Sequence, residues 1–246
     1  MPRCIVVRMS RLALTDPWEV VRDGLREQIF SHQLVPGQRL FETNIAEEFG
    51  VSRGPVREAI RALEVEGLVI REPRIGSMVI PIDRRGTEEL YSFREAIEVF
   101  AVRKALERNP SQLKLALADV LATMRGAGTA HGVDKVVELD ITFHTAFVLA
   151  ADHDRLIQVW QGMTGPLRLL MGLAARLGTT NVSGHNKLFD AVTAGDADAC
   201  AECLRDHIGI AYGAVSRLID EDAIGAAADA RRAPLTHRRR QTQDRP

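Results

Sequence analysis

The seven residues Ser52–Glu58, Ser-Arg-Gly-Pro-Val-Arg-Glu, constrain the fold of this chain more than any other segment. Ser52 is a favourable helix N-cap, because its hydroxyl can accept a hydrogen bond from an amide of the first turn. Pro55 then falls within that turn, where the missing N–H removes no helical hydrogen bond. We therefore predict that a helix begins directly after Ser52.

This predicted helix has an apolar face and a basic face. The apolar residues recur at helical spacing and should be buried: Val56, Ala59, Ile60 and Leu63. The basic residues stand four apart on another face: Arg53, Arg57 and Arg61. Arginines near the N-terminus of a helix suit phosphates and guanine edges in a DNA major groove. The alternative is that these arginines form a solvated surface with no partner. The neighbouring segments decide between the two hypotheses.

Those segments predict a winged helix-turn-helix. The residues 45–49 form a short amphipathic pattern that Gly50 ends, as expected just past a helix C-terminus. Helix, glycine turn and second helix make a helix-turn-helix, whose second helix reads DNA. Two β-branched runs, 68–71 and 77–80, then predict a hairpin in the position of a wing. Its tip residues Arg74 and Gly76 could approach the DNA backbone.

The segment from Leu12 to Pro81 resembles the winged-helix domain of GntR-type bacterial regulators, most specifically at residues 51–59. The resemblance implies that Arg53 and Arg57 contact operator DNA. One departure is that many relatives have a basic residue where this chain has Thr43 and Asn44. The predicted DNA-binding residues are Ser52, Arg53, Gly54, Pro55, Arg57, Arg61, Arg74 and Gly76. With a net charge of −1, the chain depends on this local arrangement rather than on bulk positive charge.

The remainder of the chain predicts a second, all-helical domain, so the fold class is mainly α. At 246 residues the chain is long enough for two domains. Six helical patterns in succession predict an antiparallel bundle of six or seven helices. The expected boundaries are an N-terminal extension at 1–11, the winged helix at 12–81, a linker at 82–86, the bundle at 87–220 and a disordered tail at 221–246.

Four ionisable residues interrupt the apolar stripes of these predicted helices: Asp140, His144, His185 and His207. An unpaired carboxylate in a bundle interior would be costly, so a partner is expected. A divalent metal would satisfy all four, with zinc preferred and nickel or manganese as alternatives. Alternatively, each histidine could be a hydrogen-bonded core residue, and Asp140 could pair with Arg94.

The pattern resembles the ligand-binding FCD domain of the FadR branch of GntR regulators. Members with one Asp and three His at these places bind a metal, which implies the same role for the four residues. The chain departs from relatives at Gly184, where many have a glutamate. Four protein ligands leave octahedral positions open, which a small carboxylate effector could occupy. Arg94 is a candidate contact for that carboxylate, and an internal salt bridge with Glu98 or Asp140 is the alternative.

These observations together predict a homodimeric transcriptional regulator, acting as a repressor, whose operator affinity a metal-bound carboxylate controls. The chain is not expected to be an enzyme, because it lacks H-E-x-x-H and any obvious general base beside the predicted ligands. A metalloenzyme and a DNA-binding protein with a purely structural metal are the competing hypotheses. No apolar stretch is long enough to cross a membrane, and a cytoplasmic location is expected.

Overall fold

The structure is a computed structural model that describes residues 16–127, 132–176 and 184–220. The chain divides into two compact units, of which the first contains the residues up to Pro81 and the second contains most of the residues from Ile82 onward. The described residues form nine helices and one two-stranded antiparallel sheet. The predicted N-terminal extension at 1–11 and the predicted tail at 221–246 lie outside the described residues.

The first unit is a winged helix-turn-helix, as the sequence predicts. Its elements are α1 (Pro17–Phe30), α2 (Glu42–Phe49), α3 (Arg53–Val65), β1 (Val69–Glu72) and β2 (Gly76–Val79). The buried face of α1 consists of Val21, Leu25 and Ile29. The buried face of α3 is the predicted one: Val56, Ala59, Ile60 and Leu63. Packing of these two apolar faces leaves the opposite side of α3 to solvent.

The turn between α2 and α3 is built by Gly50, which ends α2 in the left-handed conformation with φ of 65°. Glycine adopts this conformation without the steric penalty of a Cβ atom. Ser52 occupies the predicted N-cap position of α3, but its side chain makes no capping hydrogen bond. The third helical position, a usual donor to the cap, is held by Pro55, which has no N–H.

The wing is a short hairpin in which Val69 pairs with Val79 and Glu72 pairs with Gly76. Arg74, in the turn that joins the strands, has a φ of 69°, and Gly76, the first residue of β2, has a φ of 98°. The segment before α2 also contacts the wing. Arg39 pairs with Met78 as an isolated bridge, and its guanidinium donates a hydrogen bond to the carbonyl of Ile75.

The second unit is the predicted helical bundle. Its helices are α4 (Arg84–Arg108), α5 (Pro110–Ala127), α6 (Gly132–Ala150), α7 (Asp154–Arg176), α8 (His185–Ala194) and α9 (Ala197–Asp220). The core lies where α4 packs against α6 and α9, and α5 packs against α6 and α8. Helix α4 begins at Arg84, inside the segment predicted as a linker. The Asp83 carboxylate accepts a hydrogen bond from the Gly86 amide and so starts the helix earlier.

Candidate DNA-binding face and metal centre

The predicted DNA-binding residues lie on the solvent side of α3, at its N-terminus and on the wing. All of them except the half-buried Pro55 are exposed: Ser52, Arg53, Gly54, Arg57, Arg61, Arg74 and Gly76. The guanidinium groups are thus available to a duplex rather than buried in the core. A groove of about 800 Å³ runs between α2, the start of α3 and the wing, and Arg53, Arg71 and Arg74 contribute to its lining.

Two of these arginines share one carboxylate oxygen. Glu42 Oε2 accepts hydrogen bonds from Arg57 Nε at 2.8 Å and from Arg53 Nη2 at 2.9 Å. The hydrogen bond from Arg57 is the largest of the effects that lower the pKa of Glu42, with Arg53 adding to it and partial burial opposing it. Glu42 carries no signal in the sequence, because the packing of α2 and α3, and not a helical spacing, brings it to α3.

The four predicted metal ligands converge inside the second unit. Helix α6 provides Asp140 and His144, one turn apart on its buried face, while α8 begins at His185 and α9 provides His207. All four side chains are buried. One donor atom from each lies within 4.8 Å of the donors of the other three. Within the described part of the chain, this cluster is a group of side chains that could together hold a metal ion.

The distances within this cluster centre on the Asp140 carboxylate. Its Oδ1 lies 3.0 Å from His185 Nε2 and 3.8 Å from His207 Nε2. Its Oδ2 lies 3.8 Å from His144 Nε2, and neither of these two atoms has a hydrogen-bond partner among the described residues. Burial alone would raise the pKa of Asp140, but the contacts with His185 and His207 outweigh it and hold the pKa well below the usual value.

Behind the cluster, Glu98 on α4 joins a cation to one of the histidines. Glu98 Oε1 accepts a hydrogen bond from Arg94 Nε at 2.6 Å, and Oε2 contacts His144 Nδ1. Burial would raise the pKa of Glu98, yet Arg94 and His144 lower it to about 2. Burial lowers the pKa of His144 to about 4, although Glu98 opposes this. Both shifts favour an ionised carboxylate beside a neutral imidazole.

The internal salt bridge considered for Arg94 is therefore present, but it uses only one edge of the guanidinium. Arg94 is fully buried, and its Nη1 and Nη2 have no hydrogen-bond partner among the described residues, with Nη2 3.9 Å from Asp140 Oδ2. The hydroxyl of Tyr91, one turn earlier on α4, is also buried without a partner, and burial raises its pKa to about 12. Buried polar groups in native proteins usually have a hydrogen-bond partner, which is a protein group, an ordered water or a ligand.

Gly184 allows His207 to reach this site. It is the residue directly before α8, and a Cβ atom placed on it would lie 2.5 Å from His207 Nδ1. Real Cβ atoms do not approach a ring nitrogen so closely, so the absence of a side chain makes room for the imidazole. From the sequence alone, this position is notable only for lacking a glutamate, and the structure adds a steric requirement.

Two family profiles together cover most of this architecture. The profile of "Bacterial regulatory proteins, gntR family" matches residues 17–79, and the profile of the FCD domain matches residues 89–209. The chain belongs to the GntR family. It combines the family's helix-turn-helix domain with an FCD domain, an arrangement consistent with the FadR-like branch. Members of the family are transcriptional regulators and not enzymes, so this GntR protein is a DNA-binding transcriptional regulator.

Individual relatives agree with this assignment. A gluconate operon transcriptional repressor from Bacillus licheniformis is 27% identical over 202 residues, which cover 79% of this chain and 83% of the relative. An uncharacterised HTH-type regulator from Streptomyces ambofaciens is 29% identical over 220 residues, covering 86% and 90%.

Solved structures share the fold of this GntR protein. A putative GntR regulator from Rhodococcus has 24% identity and a TM-score of 0.65, with coverage of 88% of this chain and 99% of that one. Escherichia coli McbR/YncC has 20% identity and the same TM-score, with coverage of 87% and 99%.

In the described ranges, no helix combines the length and apolar character that crossing a membrane requires.

Proposed function

We propose that this GntR regulator acts as a homodimeric repressor, whose affinity for operator DNA responds to a small carboxylate bound at a metal ion in the FCD domain. The observation that carries the proposal is the buried group of Asp140, His144, His185 and His207. Such a group costs free energy unless a cation or hydrogen bonds compensate it. The DNA-binding part of the proposal rests on the exposed arginines of α3 and on the wing.

The donor set of the cluster fits a divalent cation. Imidazole and carboxylate ligands bind zinc about 2.0–2.2 Å away, which puts the donors of one ion at most about 4.4 Å apart. The donors here lie within 4.8 Å of one another, so a shift of a few tenths of an ångström brings them into range. Zinc is our first assignment, and nickel and manganese accept the same ligands. The ion would supply a Lewis-acidic centre for an anionic oxygen.

The charge balance of the buried site favours a monoanion as the effector. Arg94 carries one positive charge, while Glu98 and Asp140 carry one negative charge each, which leaves a net charge of −1 with neutral imidazoles. A divalent cation changes this to +1, and one carboxylate restores neutrality. Because buried net charge is expensive, a single carboxylate is the preferred occupant. The unpartnered Nη atoms of Arg94 are suitable donors to it.

Gluconate is the first compound to test, because it is a monocarboxylate and because two relatives are named as gluconate operon repressors. The proposed mechanism is one of linked equilibria. The carboxylate binds one conformation of the dimer more tightly than the other. Its binding therefore changes the fraction of dimers whose two DNA-binding domains fit two DNA half-sites. Since the proposed target is chromosomal DNA, the proposed location is the cytoplasm.

Metal content tests the central part of this proposal. The full chain, purified without added metal, should contain about one divalent ion per chain by elemental analysis. His185→Ala and His207→Ala should each lower this content strongly, because each removes one of four ligands. His153→Ala is a matched control, because His153 lies outside the cluster and accepts a hydrogen bond from the Leu156 amide. Full metal occupancy in the double variant His185→Ala/His207→Ala would refute the assigned ligands.

A further inference from the structure

The carboxylate of Glu98 has two different partners, one on each oxygen. Oε1 accepts from the Nε of Arg94 at 2.6 Å, and Oε2 contacts Nδ1 of His144. Glu98, Arg94 and His144 all have side chains with no solvent exposure. Because water cannot reach these three side chains, neither Glu98 nor its partners can replace the contacts with hydrogen bonds to solvent. The orientation of all three side chains is therefore fixed by these contacts.

The contact with Glu98 decides which nitrogen of His144 is available to a cation. A carboxylate in an ion pair with a guanidinium is an acceptor only, so the hydrogen of the neutral imidazole resides on Nδ1. The lone pair then belongs to Nε2, which is buried, has no hydrogen-bond partner among the described residues and lies 3.8 Å from Asp140 Oδ2. Metal-bound histidines commonly use their second nitrogen in this way.

The contact with Arg94 decides which edge of the guanidinium is available to an anion. Nε is engaged by Glu98, whereas Nη1 and Nη2 have no hydrogen-bond partner in the described residues and Nη2 lies 3.9 Å from Asp140 Oδ2. A guanidinium fixed at one atom loses less conformational freedom when it binds a carboxylate. One acidic side chain thus holds both a prospective cation ligand and a prospective anion ligand.

We infer that Glu98 is a positioning residue that serves both halves of the proposed site, fixing the tautomer of His144 for the cation and the orientation of Arg94 for the carboxylate. The inference rests on the proposed function, because it assumes that the cluster binds a cation. Its regulatory consequence is that cation binding and anion binding are linked through one side chain. The competing explanation is that Glu98 only neutralises the buried charge of Arg94.

The first experiment measures cation affinity and ligand geometry in Glu98→Gln. The full-length protein is stripped with a chelator and titrated with Zn²⁺ and with Co²⁺, whose visible absorption reports the ligand geometry. Glu98→Gln should bind Zn²⁺ about 10–100-fold more weakly and change the Co²⁺ spectrum. Glu95→Gln is the matched control on the same helix, because Glu95 is partly exposed and pairs with Arg205 at 3.4 Å. That variant should match the wild type.

The wild-type titration separates the two ideas. If the wild type binds neither ion, the proposed function fails. If it binds both and Glu98→Gln binds them equally well with the same spectrum, only the role of Glu98 is refuted.

A double variant removes the competing explanation. If Glu98→Gln loses affinity merely because the uncompensated charge of Arg94 repels the ion, adding Arg94→Gln should restore wild-type affinity. If Glu98 positions His144, the affinity of Glu98→Gln/Arg94→Gln should stay low. Because the double variant removes one acidic and one basic group together, it leaves the net charge of the buried site unchanged. It can therefore replace Glu98→Gln in the test if that single variant does not fold.

The tautomer can be measured directly in the unaltered protein. With ¹⁵N-labelled histidine, the metal-free wild type should show His144 with its hydrogen on Nδ1 in a long-range ¹H–¹⁵N spectrum, assigned by comparison with His144→Gln. A hydrogen on Nε2 would overturn the inference, whatever the variants do.

Discussion

At the residue scale, the most demanding position is one without a side chain. Gly184 precedes α8 with φ of −78°, a conformation that any residue can adopt, so its requirement is steric rather than conformational. A Cβ atom there would lie 2.5 Å from His207 Nδ1 and 3.2 Å from Cγ of the same ring. The imidazole of His207 could only persist in its place if α8 or α9 moved.

Gly184→Ala should therefore weaken Zn²⁺ binding by at least about tenfold, the lower part of the range seen when the support of a metal ligand is disturbed. Gly209→Ala is the matched control on α9, because Gly209 is exposed and, apart from its chain neighbours and its own helix backbone, no described atom lies within 4 Å of its added Cβ. It should leave Zn²⁺ affinity unchanged and stabilise the helix by about 0.5–1 kcal/mol. Isothermal titration and thermal unfolding of the metal-free proteins provide both numbers. Equal Zn²⁺ affinity in Gly184→Ala and wild type would show that His207 tolerates displacement.

The sequence predicts some members of the buried site but not the role of others, because spacing along one helix is visible in the sequence and packing between helices is not. Asp140 and His144 stand out because they interrupt an apolar stripe at helical spacing. Glu98 is indicated only as a salt-bridge partner of Arg94, because an Arg-x-x-x-Glu pair at helical spacing predicts that contact and nothing more. Only packing of α4 against α6 shows that this pair is buried and that Glu98 contacts His144.

At the element scale, the start of α3 could be predicted to the residue, because local signals define it. The apolar spacing, Pro55 in the first turn and Gly50 before it all depend on neighbours in sequence. Helix α4 began earlier than predicted, because Asp83 caps it through a contact that a composition-based linker assignment overlooks. The contact of Glu42 with Arg53 and Arg57 depends on how α2 and α3 pack and was not predictable from spacing.

The basic face of α3 should determine operator affinity. Arg53→Ala and Arg57→Ala should each weaken binding to an operator selected from random duplexes by about 1–3 kcal/mol, if each reads a base. Binding to an unrelated duplex should weaken less, because that binding depends on phosphate contacts in general. The control is Arg85→Ala, which removes an exposed arginine from α4 and should change neither affinity. Unchanged operator affinity in both α3 variants would exclude these side chains from the interface.

At the scale of the whole molecule, the chain combines two units with different chemistry. The first unit presents arginines to solvent, and two of those on α3 pair with Glu42. The second unit buries acids, imidazoles and a guanidinium, which is costly for a domain that serves only as a scaffold. That cost is easier to understand if the second unit binds ions and transmits their presence to the first as a change in DNA affinity.

Such a coupling should be visible as a carboxylate effect that depends on metal. A panel of small monocarboxylates is added to the full-length, metal-loaded protein, and operator affinity is measured by fluorescence anisotropy. An effective compound should change that affinity about 5–150-fold, the usual range for linkage between two sites.

The response should vanish in His207→Ala and after chelation, while DNA affinity without carboxylate stays measurable. An equal response in chelated protein would contradict a metal-linked mechanism, whereas a metal-loaded protein that responds to none of the compounds would favour a purely structural ion. Reciprocity provides an independent check: if carboxylate weakens operator binding, operator DNA must weaken carboxylate binding by the same factor.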